Sequence, residues 1–340
     1  MQRKTLLITG GAGFIGSNFV HYWLKAHPED KVITLDALTY AGNLANLAGC
    51  EQNPSHTFVK GSICDRNLVA QVMQGVDTVV HFAAETHVDR SITNPALFLE
   101  TNVLGTQTLL DAALHTGVKH FHHISTDEVF GSLELDTSEK FTPHTNYDPR
   151  SPYSASKAAS DHLVRAYGET YGLPFTITNC SNNYGEFHFP EKLIPLAITN
   201  LIEGKKVPIY GDGLNVRDWL YVYDHCTAID KVLESGKLGS TYLVGGLTQD
   251  VSNLELIRTI LLLMGKTENS IEFVTDRLGH DRRYAIDWSA TESDLNWKPS
   301  VSLEEGLEKT IAWYKANEEW WRPLKAKNQT YFEQQYGTIA

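Results

Sequence analysis

A glycine-rich turn near the start of the chain constrains the fold more than any other feature. The run GGAGFIG at residues 10–16 follows an apolar, strand-like segment and opens a helical pattern. Gly10 permits a tight turn, Gly13 lets backbone N–H groups approach a pyrophosphate, and Gly16 lets the helix pack closely on a sheet. The helix N-terminus would add partial positive charge and unpaired donors for the phosphates. The pattern predicts a strand–turn–helix unit that binds a dinucleotide.

An acidic residue at the end of the next strand-like segment strengthens this interpretation. Asp36 follows Gly16 by about 20 residues, where an acid can accept hydrogen bonds from an adenosine ribose. The glycine turn alone would leave a ligand-free loop as an alternative. The ordered series of strand, turn, helix, strand and acid favours cofactor binding. Because a carboxylate at this place would repel a ribose phosphate, we expect NAD rather than NADP.

Strand-like and helical segments alternate through the first half of the chain, which predicts a parallel sheet covered by helices on both faces. The predicted strands are 5–9, 31–36, 56–60, 77–82, 121–125 and 175–180, and the predicted helices are 14–27, 65–74, 95–116 and 152–171. After about residue 180 the pattern becomes mixed, with strands at 206–210 and 219–222 and helices at 224–234, 253–264 and 303–321.

These patterns predict an α/β fold with a doubly wound parallel Rossmann sheet and a smaller mixed α/β C-terminal region that binds substrate. We expect residues 1–180 to form the NAD-binding part, with some later segments returning to it. Residues 181–330 would form most of the substrate-binding part, and residues 331–340 a tail.

Composition narrows the partners of the chain. The net charge of −12 argues against general affinity for nucleic acid or anionic membranes, although a few placed arginines can still hold an anionic small molecule. No apolar run has the length of a membrane-spanning helix. Residues 1–4 lack the pattern of a secretory signal, and the four cysteines lack disulfide or zinc spacing. We expect a cytoplasmic protein with reduced cysteines.

A tyrosine and a lysine at the start of a predicted helix form a candidate catalytic pair. Tyr153 and Lys157 follow Pro152, and their i,i+4 spacing puts both side chains on one helix face. The ammonium, together with a cationic nicotinamide ring, would favour phenolate and lower a pKa that is ordinarily near 10. This spacing is usually that of an ordinary exposed Tyr–Lys pair on a helix. In a chain that first forms a dinucleotide-binding unit, the spacing favours a catalytic pair in which the tyrosine takes a hydroxyl proton while hydride leaves the same carbon.

Two successive carboxylates follow the fifth predicted strand. Thr126, Asp127 and Glu128 could belong to a solvated turn, but this strand end should face the nicotinamide and the Tyr153 helix. Elimination of water needs one group that removes a carbon-bound proton and another that protonates the departing hydroxyl. Asp127 and Glu128 could divide these tasks if their environments separate their pKa values.

Three histidines in the fifth strand are a weaker candidate, for a metal site. His120, His122 and His123 alternate along the strand, so His122 points away from its neighbours, and no acidic ligand pattern accompanies them. We interpret them as structural and expect no metal.

At these residues the chain resembles the extended short-chain dehydrogenase/reductase family, and within it the 4,6-dehydratases of nucleotide sugars such as dTDP-glucose. The resemblance extends over nearly the whole chain. It is carried by residues 9–16, 36–43, 83–91, 125–131, 153–157, 182–185, 189–195, 217–219 and 280–284. Related 4-epimerases lack the Asp-Glu pair after Thr126, which makes the match specific.

The resemblance implies a role for each catalytic residue. Tyr153 would be the base for the sugar 4-hydroxyl, with Lys157 tuning it and holding the nicotinamide ribose, and Thr126 would hydrogen-bond the reacting oxygen. Asp127 would protonate the 6-hydroxyl, and Glu128 would remove the C5 proton. The hydride that leaves C4 would return to C6, which regenerates NAD in each turnover.

The resemblance also completes two sets of binding residues. The cofactor set is Gly10, Gly13, Phe14, Ile15, Gly16, Asp36, Leu38, Thr39, Ser62, Ile63, Ala83, Ala84, Thr101, Tyr153, Lys157 and Asn183. The nucleotide-sugar set is Thr86, Thr126, Asn182, Lys192, Leu193, Pro208, Ile209, Tyr210, Arg217, Asn253, His280, Asp281, Arg282, Arg283 and Tyr284. The arginine side chains suit a diphosphate, although each could equally belong to a surface ion pair.

Some residues depart from the usual pattern of the family, and some alternatives stay open. Ser62 replaces a common aspartate, Glu186 a proline and Ala37 a lysine, which affects the cofactor site and the substrate loop. The alternatives are a dehydratase or 4-epimerase for a UDP, CDP or GDP sugar, and a non-catalytic NAD-sensing protein. The family further implies a homodimer formed through the helices at 95–116 and 152–171.

Overall fold

The computed structural model describes residues 3–247, 250–276 and 279–336. The strands are β1 (Thr5–Thr9), β2 (Lys31–Asp36), β3 (His56–Lys60), β4 (Thr78–His81), β5 (His120–Thr126), β6 (Phe175–Cys180), β7 (Asn182–Tyr184), β8 (Val207–Tyr210), β9 (Val216–Arg217), β10 (Trp219–Tyr221), β11 (Thr241–Val244), β12 (Val251–Ser252) and β13 (Ile271–Val274). The α-helices are α1 (Phe14–Ala26), α2 (Arg66–Val72), α3 (Val88–Thr93), α4 (Pro95–Phe98), α5 (Thr106–Thr116), α6 (Pro152–Tyr171), α7 (Leu193–Ile202), α8 (Val222–Ser235), α9 (Asn253–Leu263), α10 (Ser289–Leu295), α11 (Leu303–Ala316) and α12 (Glu318–Tyr336).

Seven strands of the described chain form a parallel sheet in the order β11-β6-β5-β4-β1-β2-β3. Both faces of this sheet are buried, as alternation along β1 illustrates. Leu7 packs on one face in a core with Leu110 and Phe121. Leu6 and Ile8 pack on the other face in a core that α1 supplies. The doubly wound parallel Rossmann sheet predicted from the alternating pattern is confirmed.

The later part of the chain builds three small two-stranded sheets, β7 with β10, β9 with β12 and β8 with β13. Helices α7, α9 and α11 pack around them in a separate core that contains Ile198, Ile257, Ile311 and Trp321. No helix among the described residues has the length and apolar character needed to span a membrane.

Two helices differ from the sequence-based expectation. The helix expected at 95–116 is interrupted by a π-helical segment, Leu99–Gly105, whose widened turn puts Asn102 in contact with the chain after β4. The Asn102 carboxamide accepts from the Glu85 backbone N–H at 2.8 Å and donates to the Glu85 carbonyl at 3.0 Å. The helix expected at 303–321 ends at Ala316, where the Asn317 side chain donates to the Trp313 carbonyl, and α12 begins at Glu318. Helix α12 continues to Tyr336, and the remainder of the expected tail, residues 337–340, lies outside the described residues.

Among the elements that were not predicted, β11 and α7 show why a sequence signal was missing. Strand β11 pairs with β6 and extends the large sheet by one strand, although its short sequence TYLV lies among mixed segments. Helix α7 is nearly all apolar, since it is buried between the small sheets and α9, so it shows little of the alternation with polar residues that marks a surface helix.

Candidate active site

A cavity of about 990 Å³ runs along the carboxyl ends of the sheet strands and continues between α7 and β8. This is the edge where open α/β sheets bind ligands. The predicted cofactor residues that line it are Gly10, Gly13, Phe14, Ile15, Gly16, Asp36, Thr39, Ser62, Ile63, Ala83, Ala84, Thr101, Tyr153, Lys157 and Asn183. The predicted nucleotide-sugar residues that line it are Thr86, Thr126, Asn182, Lys192, Leu193, Pro208, Ile209, Tyr210, Arg217, Asn253, His280 and Tyr284.

The glycine turn has the geometry that a pyrophosphate requires. Gly10 has φ +69°, and a Cβ there would lie 2.6 Å from the Ala83 nitrogen. A Cβ at Gly16 would lie 2.3 Å from the Gly10 carbonyl oxygen, so this glycine allows the close approach of α1 to the turn. Gly13 precedes α1, and no side chain caps the first-turn N–H groups of that helix. These donors face the cavity region and fit a dinucleotide phosphate.

Asp36 closes the adenosine end of the cavity. Its carboxylate accepts the backbone N–H of Ala12 at 2.9 Å and that of Leu38 at 2.8 Å, so one side chain links β2 to the glycine turn. Burial raises the pKa of Asp36, while these two hydrogen bonds act in the opposite direction. A carboxylate has lone pairs left for two ribose hydroxyls, so the site fits an adenosine ribose.

Helix α6 carries the tyrosine–lysine pair to the centre of the cavity. Ser151 caps this helix by accepting from the Ser154 N–H, and Pro152 occupies the first turn. Lys157 Nζ donates to the Ile124 carbonyl at 2.7 Å. Burial and the neighbouring Glu128 charge raise the pKa of Tyr153, against a hydrogen bond with Thr126. The lowered pKa expected at Tyr153 is therefore not present in the protein alone, because burial and the neighbouring acids raise it. That expectation also required the positive charge of a nicotinamide.

The carboxylate pair begins a short 3₁₀ turn, Asp127–Phe130, at the end of β5. Thr126 Oγ1 accepts from the Glu128 N–H at 3.2 Å and donates to Asp127 Oδ1 at 3.3 Å. Asp127 is 1% exposed and lies behind the cavity wall, whereas Glu128 is half-buried and lines the cavity. Burial and the charges of Glu128 and Asp218 raise the pKa of Asp127 well above its ordinary value. A carboxyl in this setting holds a proton and fits an acid.

Of the three predicted arginines, Arg217 is the one that lines the cavity. It is buried, and its Nη2 donates to the Asp281 carbonyl at 2.9 Å. Its guanidinium lies 4.2 Å from the centre of the Tyr284 ring, which holds it in a fixed plane. Tyr284 in turn donates to Asp281 Oδ2 at 2.6 Å. A cation fixed in this way beside the small sheets fits a diphosphate.

Four residues of the two predicted binding sets do not line the cavity, so their expected placement is corrected; they are Leu38, Asp281, Arg282 and Arg283. Arg283 is buried and bonds Asp250 at 2.7 Å and the Glu139 carbonyl at 2.8 Å. Arg282 forms an exposed ion pair with Asp212, as the ion-pair alternative anticipated. Asp281 uses its carbonyl and carboxylate for the contacts with Arg217 and Tyr284 described above. The N–H of Leu38 bonds Asp36, and its side chain packs on the core beside α1.

A buried group of charges in the cavity wall was missed. Glu191 lies 3.3 Å from Arg90 and 3.7 Å from His87, and the Arg90 guanidinium lies 3.9 Å from the centre of the Tyr40 ring. Burial raises the pKa of Glu191, against the charges of Lys192 and Arg90. Glu191 falls within the segment 189–195 that carries the family resemblance, and that membership was the available signal. The ion pairs join Glu191 to α3 and to the residue before that helix, about a hundred residues earlier in the chain, and have no signature in sequence.

The histidines of β5 have protein partners. His120 Nε2 and His122 Nδ1 lie 2.7 and 2.8 Å from Thr176 Oγ1, so these two side chains lie on one side of β5 and the expectation that His122 points away from His120 was wrong. His123 Nε2 lies 3.2 Å from Asp161. Among the residues that the structure describes, no group of three or more histidine, cysteine or acidic side chains is arranged to hold a metal ion.

The departures from the family pattern have local explanations. Ser62 Oγ accepts the Cys64 N–H at 3.1 Å and so shapes the turn after β3. The Glu186 carboxylate accepts the Tyr221 hydroxyl at 2.8 Å. Ala37 lines the cavity beside Asp36.

The fold and site together define a class, a dinucleotide-binding enzyme of the short-chain dehydrogenase/reductase type with a carboxylate pair beside its tyrosine. A family model described as GDP-mannose 4,6 dehydratase matches residues 7–310. A dTDP-glucose 4,6-dehydratase of Mycobacterium tuberculosis (strain CDC 1551 / Oshkosh) is 51% identical over 330 residues, which are 97% of this chain and 98% of the relative.

Solved structures agree with this assignment. DesIV, a dTDP-glucose 4,6-dehydratase from Streptomyces venezuelae solved with NAD bound, matches with a TM-score of 0.92 at 50% identity, over 94% of this chain and 100% of that one. A UDP-glucose 4-epimerase from Thermotoga maritima matches with a TM-score of 0.85 at 28% identity, over 92% of this chain and 99% of that one. The chain belongs to the dTDP-glucose 4,6-dehydratase family.

Proposed function

We propose that this protein is an NAD-dependent hydro-lyase that converts dTDP-glucose into dTDP-4-keto-6-deoxy-glucose. The observation that carries the proposal is that Glu128 and Tyr153 line one cavity with a dinucleotide site, while the carboxyl of Asp127 lies buried directly behind the wall beside them. Oxidation needs only the tyrosine and the cofactor. Loss of water needs an additional acid and base, and the carboxylate pair supplies both.

In the first step, Tyr153 removes the proton of the 4-hydroxyl. Lys157 and Thr126 orient that tyrosine, since one lies a helical turn along the same face and the other hydrogen-bonds its hydroxyl. When bound, NAD would supply reversible hydride acceptance, so that the hydride that leaves C4 can later return to C6. The glycine turn and Asp36 would hold its pyrophosphate and adenosine ribose.

In the second step, a ketone at C4 acidifies the proton on C5. Glu128 removes this proton, and Asp127 donates its own proton to the 6-hydroxyl, which leaves as water. The raised pKa of Asp127 keeps it protonated until this point. When the hydride returns to C6, Glu128 gives the proton back to C5. The cycle is redox-neutral for the protein, and it closes when Tyr153 releases the proton taken from the 4-hydroxyl and Asp127 takes up a proton again.

The division of the chain follows from this assignment. Residues 1–180 supply the cofactor site and the catalytic groups, and residues 181–330 supply most of the nucleotide-sugar site. Arg217 and Lys192 would bind the diphosphate, while Pro208, Ile209 and Tyr210 would line the nucleoside end of the cavity.

An isotope experiment tests the chemistry. With dTDP-glucose that carries deuterium at C4, we expect the label at C6 of the same product molecule, because the hydride stays within the site. Release of the label into water would refute the proposal. Tyr153→Phe should nearly abolish the oxidation, whereas Asp127→Asn should oxidise C4 and accumulate the 4-ketone without losing water. Equal losses of both half-reactions in both variants would contradict the separate roles.

The nucleoside preference is tested by offering dTDP-, UDP-, CDP- and GDP-linked hexoses to the same preparation. A 4-keto-6-deoxy product from dTDP-glucose at the highest kcat/KM supports the proposal. A 4-epimer as the main product would favour an epimerase. Cofactor binding without any turnover would favour an NAD-sensing protein.

We also propose that the enzyme works in the cytoplasm as a homodimer. Exposed apolar side chains lie on the surface formed by α3, α4 and the π-helical segment, namely Ile92, Leu97, Leu99 and Leu104. Such a patch is typical of a protein interface. The four cysteines are free, which suits a reducing compartment.

A further inference from the structure

Helix α6 presents a third polar side chain beyond the catalytic pair. Asp161 follows Lys157 by four residues, as Lys157 follows Tyr153, so the three side chains share one face. Asp161 has no exposed surface. A buried carboxylate is costly unless its surroundings compensate its charge, and the reaction steps proposed above do not use it.

Three donors converge on this carboxylate. Asp161 Oδ2 accepts from Ser125 Oγ at 2.8 Å, from the Tyr147 hydroxyl at 2.8 Å and from Asn179 Nδ2 at 3.3 Å. Burial acts to raise the pKa of Asp161, but hydrogen bonding and charge from His123 and Lys157 outweigh it and lower the pKa. Asp161 is therefore an anion at neutral pH.

Lys157 needs such an anion. Burial lowers the pKa of Lys157, and the charge of Asp161 acts in the opposite direction. Between them lies His123, whose Nε2 is 3.5 Å from Lys157 Nζ and 3.2 Å from Asp161 Oδ1. Burial and the lysine charge lower the pKa of His123 to about 4, so the imidazole is neutral. The two charges of this core are therefore the ammonium and the Asp161 carboxylate.

The same carboxylate also fixes the end of β5. Ser125, which donates to it, directly precedes Thr126 in the chain. The Asn179 carboxamide donates both to Asp161 and, at 3.0 Å, to the Thr126 carbonyl. Tyr147, which closes the opposite side, accepts from Arg165 Nη2 at 3.1 Å.

We propose that Asp161 is a positioning residue for the 4-oxidation step, which anchors the Lys157 ammonium and the Thr126 strand end to one buried carboxylate. The inference rests on the proposed function of Tyr153 and Lys157. With a neutral side chain at position 161, the lysine loses its counter-charge and gives up its proton at a lower pH. The Tyr153 phenolate then lacks the cation that stabilises it.

The pH dependence of 4-oxidation is set by all the titratable groups around Lys157 and Asp161, and not by those of α6 alone. The titratable and charged side chains that face Lys157 and Asp161 come from β4, β5, β6, α6 itself and the chain before it; they are His81, His123, Cys180, Arg165 and Tyr147.

The test is the pH profile of 4-oxidation in Asp161→Asn, a variant of nearly the same shape. The purified holoenzyme is mixed with dTDP-glucose, and the near-ultraviolet absorbance of the nicotinamide is followed in a single turnover. We expect the rate at neutral pH to fall at least about tenfold and the alkaline limb to move down by about one pH unit, since one pKa unit is a tenfold change in the protonated fraction. The KM for dTDP-glucose should change less than about threefold, because Asp161 does not contact the cavity.

Asp224→Asn is the matched control. Asp224 is also buried and accepts three hydrogen bonds, from the N–H and hydroxyl of Ser300 and the N–H of Val301, but it lies on α8 away from the pair. Its loss should lower stability and leave the pH profile in place. Asp161→Glu, which keeps the charge, should restore the alkaline limb toward its wild-type position.

Tyr147→Phe provides a second variant if Asp161→Asn folds poorly. It removes one donor to the carboxylate, so Asp161 should protonate at a higher pH and the acid limb of 4-oxidation should move up. An alkaline limb that stays in place in folded Asp161→Asn, or an acid limb that stays in place in Tyr147→Phe, would overturn the inference. A wild-type protein that makes no 4-keto product would instead refute the proposed function itself.

Discussion

Asp127→Asn should stabilise the protein while it removes the acid of the elimination step. The side chain of Asp127 is 1% exposed, and among the described residues its Oδ2 has no hydrogen-bond partner. Its other oxygen accepts from Thr126 at a long 3.3 Å. Because burial and the neighbouring acids raise its pKa in the folded protein, the fold favours the protonated form. The unfolded chain, in contrast, releases the proton at about pH 4.

The size of the effect follows from proton linkage. Below about pH 4, Asp127 is neutral in both states, and the stability difference between variant and wild type is constant. Above that pH, the unfolded wild type releases a proton that the folded state keeps, so the wild type loses about 1.4 kcal/mol of unfolding free energy per pH unit. Asparagine does not titrate. The variant therefore gains on the wild type until the pH reaches the raised pKa, above which the difference stays constant.

The assay is urea denaturation of both proteins at the same protein concentration, followed by circular dichroism at several pH values between 4 and 7. The gap should widen by about 1.4 kcal/mol for each pH unit over which only the unfolded chain has released the proton, since the pKa is raised in the fold. Contributions of most other groups cancel in the difference. When the same pair of proteins is compared with Glu128→Gln also present in both, the gap should be narrower, because one of the charges that raise the pKa of Asp127 is removed.

A control of opposite sign is available at Asp77. A hydrogen bond from Lys119 and one from the Thr5 N–H lower the pKa of Asp77, so its contribution to stability is present above the unfolded pKa and is lost as the pH falls. Asp77→Asn should therefore weaken the protein at neutral pH, by less than about 1 kcal/mol for so exposed a pair. If the gap for Asp127→Asn is flat from pH 4 to pH 7, Asp127 ionises in the fold as it does in water. Its assignment as the acid would then be wrong.

Three further outcomes are expected. Gly16→Ala should cost about 1–3 kcal/mol and reduce NAD affinity in a titration, because its Cβ would lie 2.3 Å from the Gly10 carbonyl; unchanged affinity would contradict the close packing of turn and helix. Arg283→Met should lower the unfolding free energy by about 1–3 kcal/mol, whereas Arg282→Ala, at an exposed ion pair, should change it by less than about 1 kcal/mol; equal losses would argue against the buried role of Arg283. Leu104→Glu should sediment as a monomer, whereas the control Leu262→Glu, at another exposed leucine, should sediment as a dimer. If both variants are dimers, the interface does not include Leu104.

The cofactor half of the site was predictable because its signals are local. The glycine turn needs small residues at fixed spacings along the chain, and Asp36 ends the strand that lies next to β1. The pair Tyr153 and Lys157 is likewise defined within one helix. Each of these features is specified by neighbours in sequence and by the regular geometry of strands and helices.

The second half of the site depends on contacts between distant segments. The backbone of Arg283 forms isolated β-bridges with Leu133 and with Val216. In this position its side chain bonds Asp250 and does not reach the cavity. A run of charged residues carries no information about such pairings. Glu191 is a further example, since its partners, Arg90 on α3 and His87 just before that helix, lie about a hundred residues earlier in the chain.

The contrast between two buried carboxyls shows what the sequence cannot specify. Asp127 and Asp161 have almost the same burial, yet the pKa of the first is raised and that of the second is lowered. The difference lies in the neighbouring groups, since His123, Lys157 and the Tyr147 hydroxyl lower the pKa of Asp161, whereas the charges of Glu128 and Asp218 raise that of Asp127. Burial penalises both charges, so these neighbours decide which carboxyl holds a proton for catalysis and which one holds a charge. Most of them come from separate segments that only the folded chain brings together.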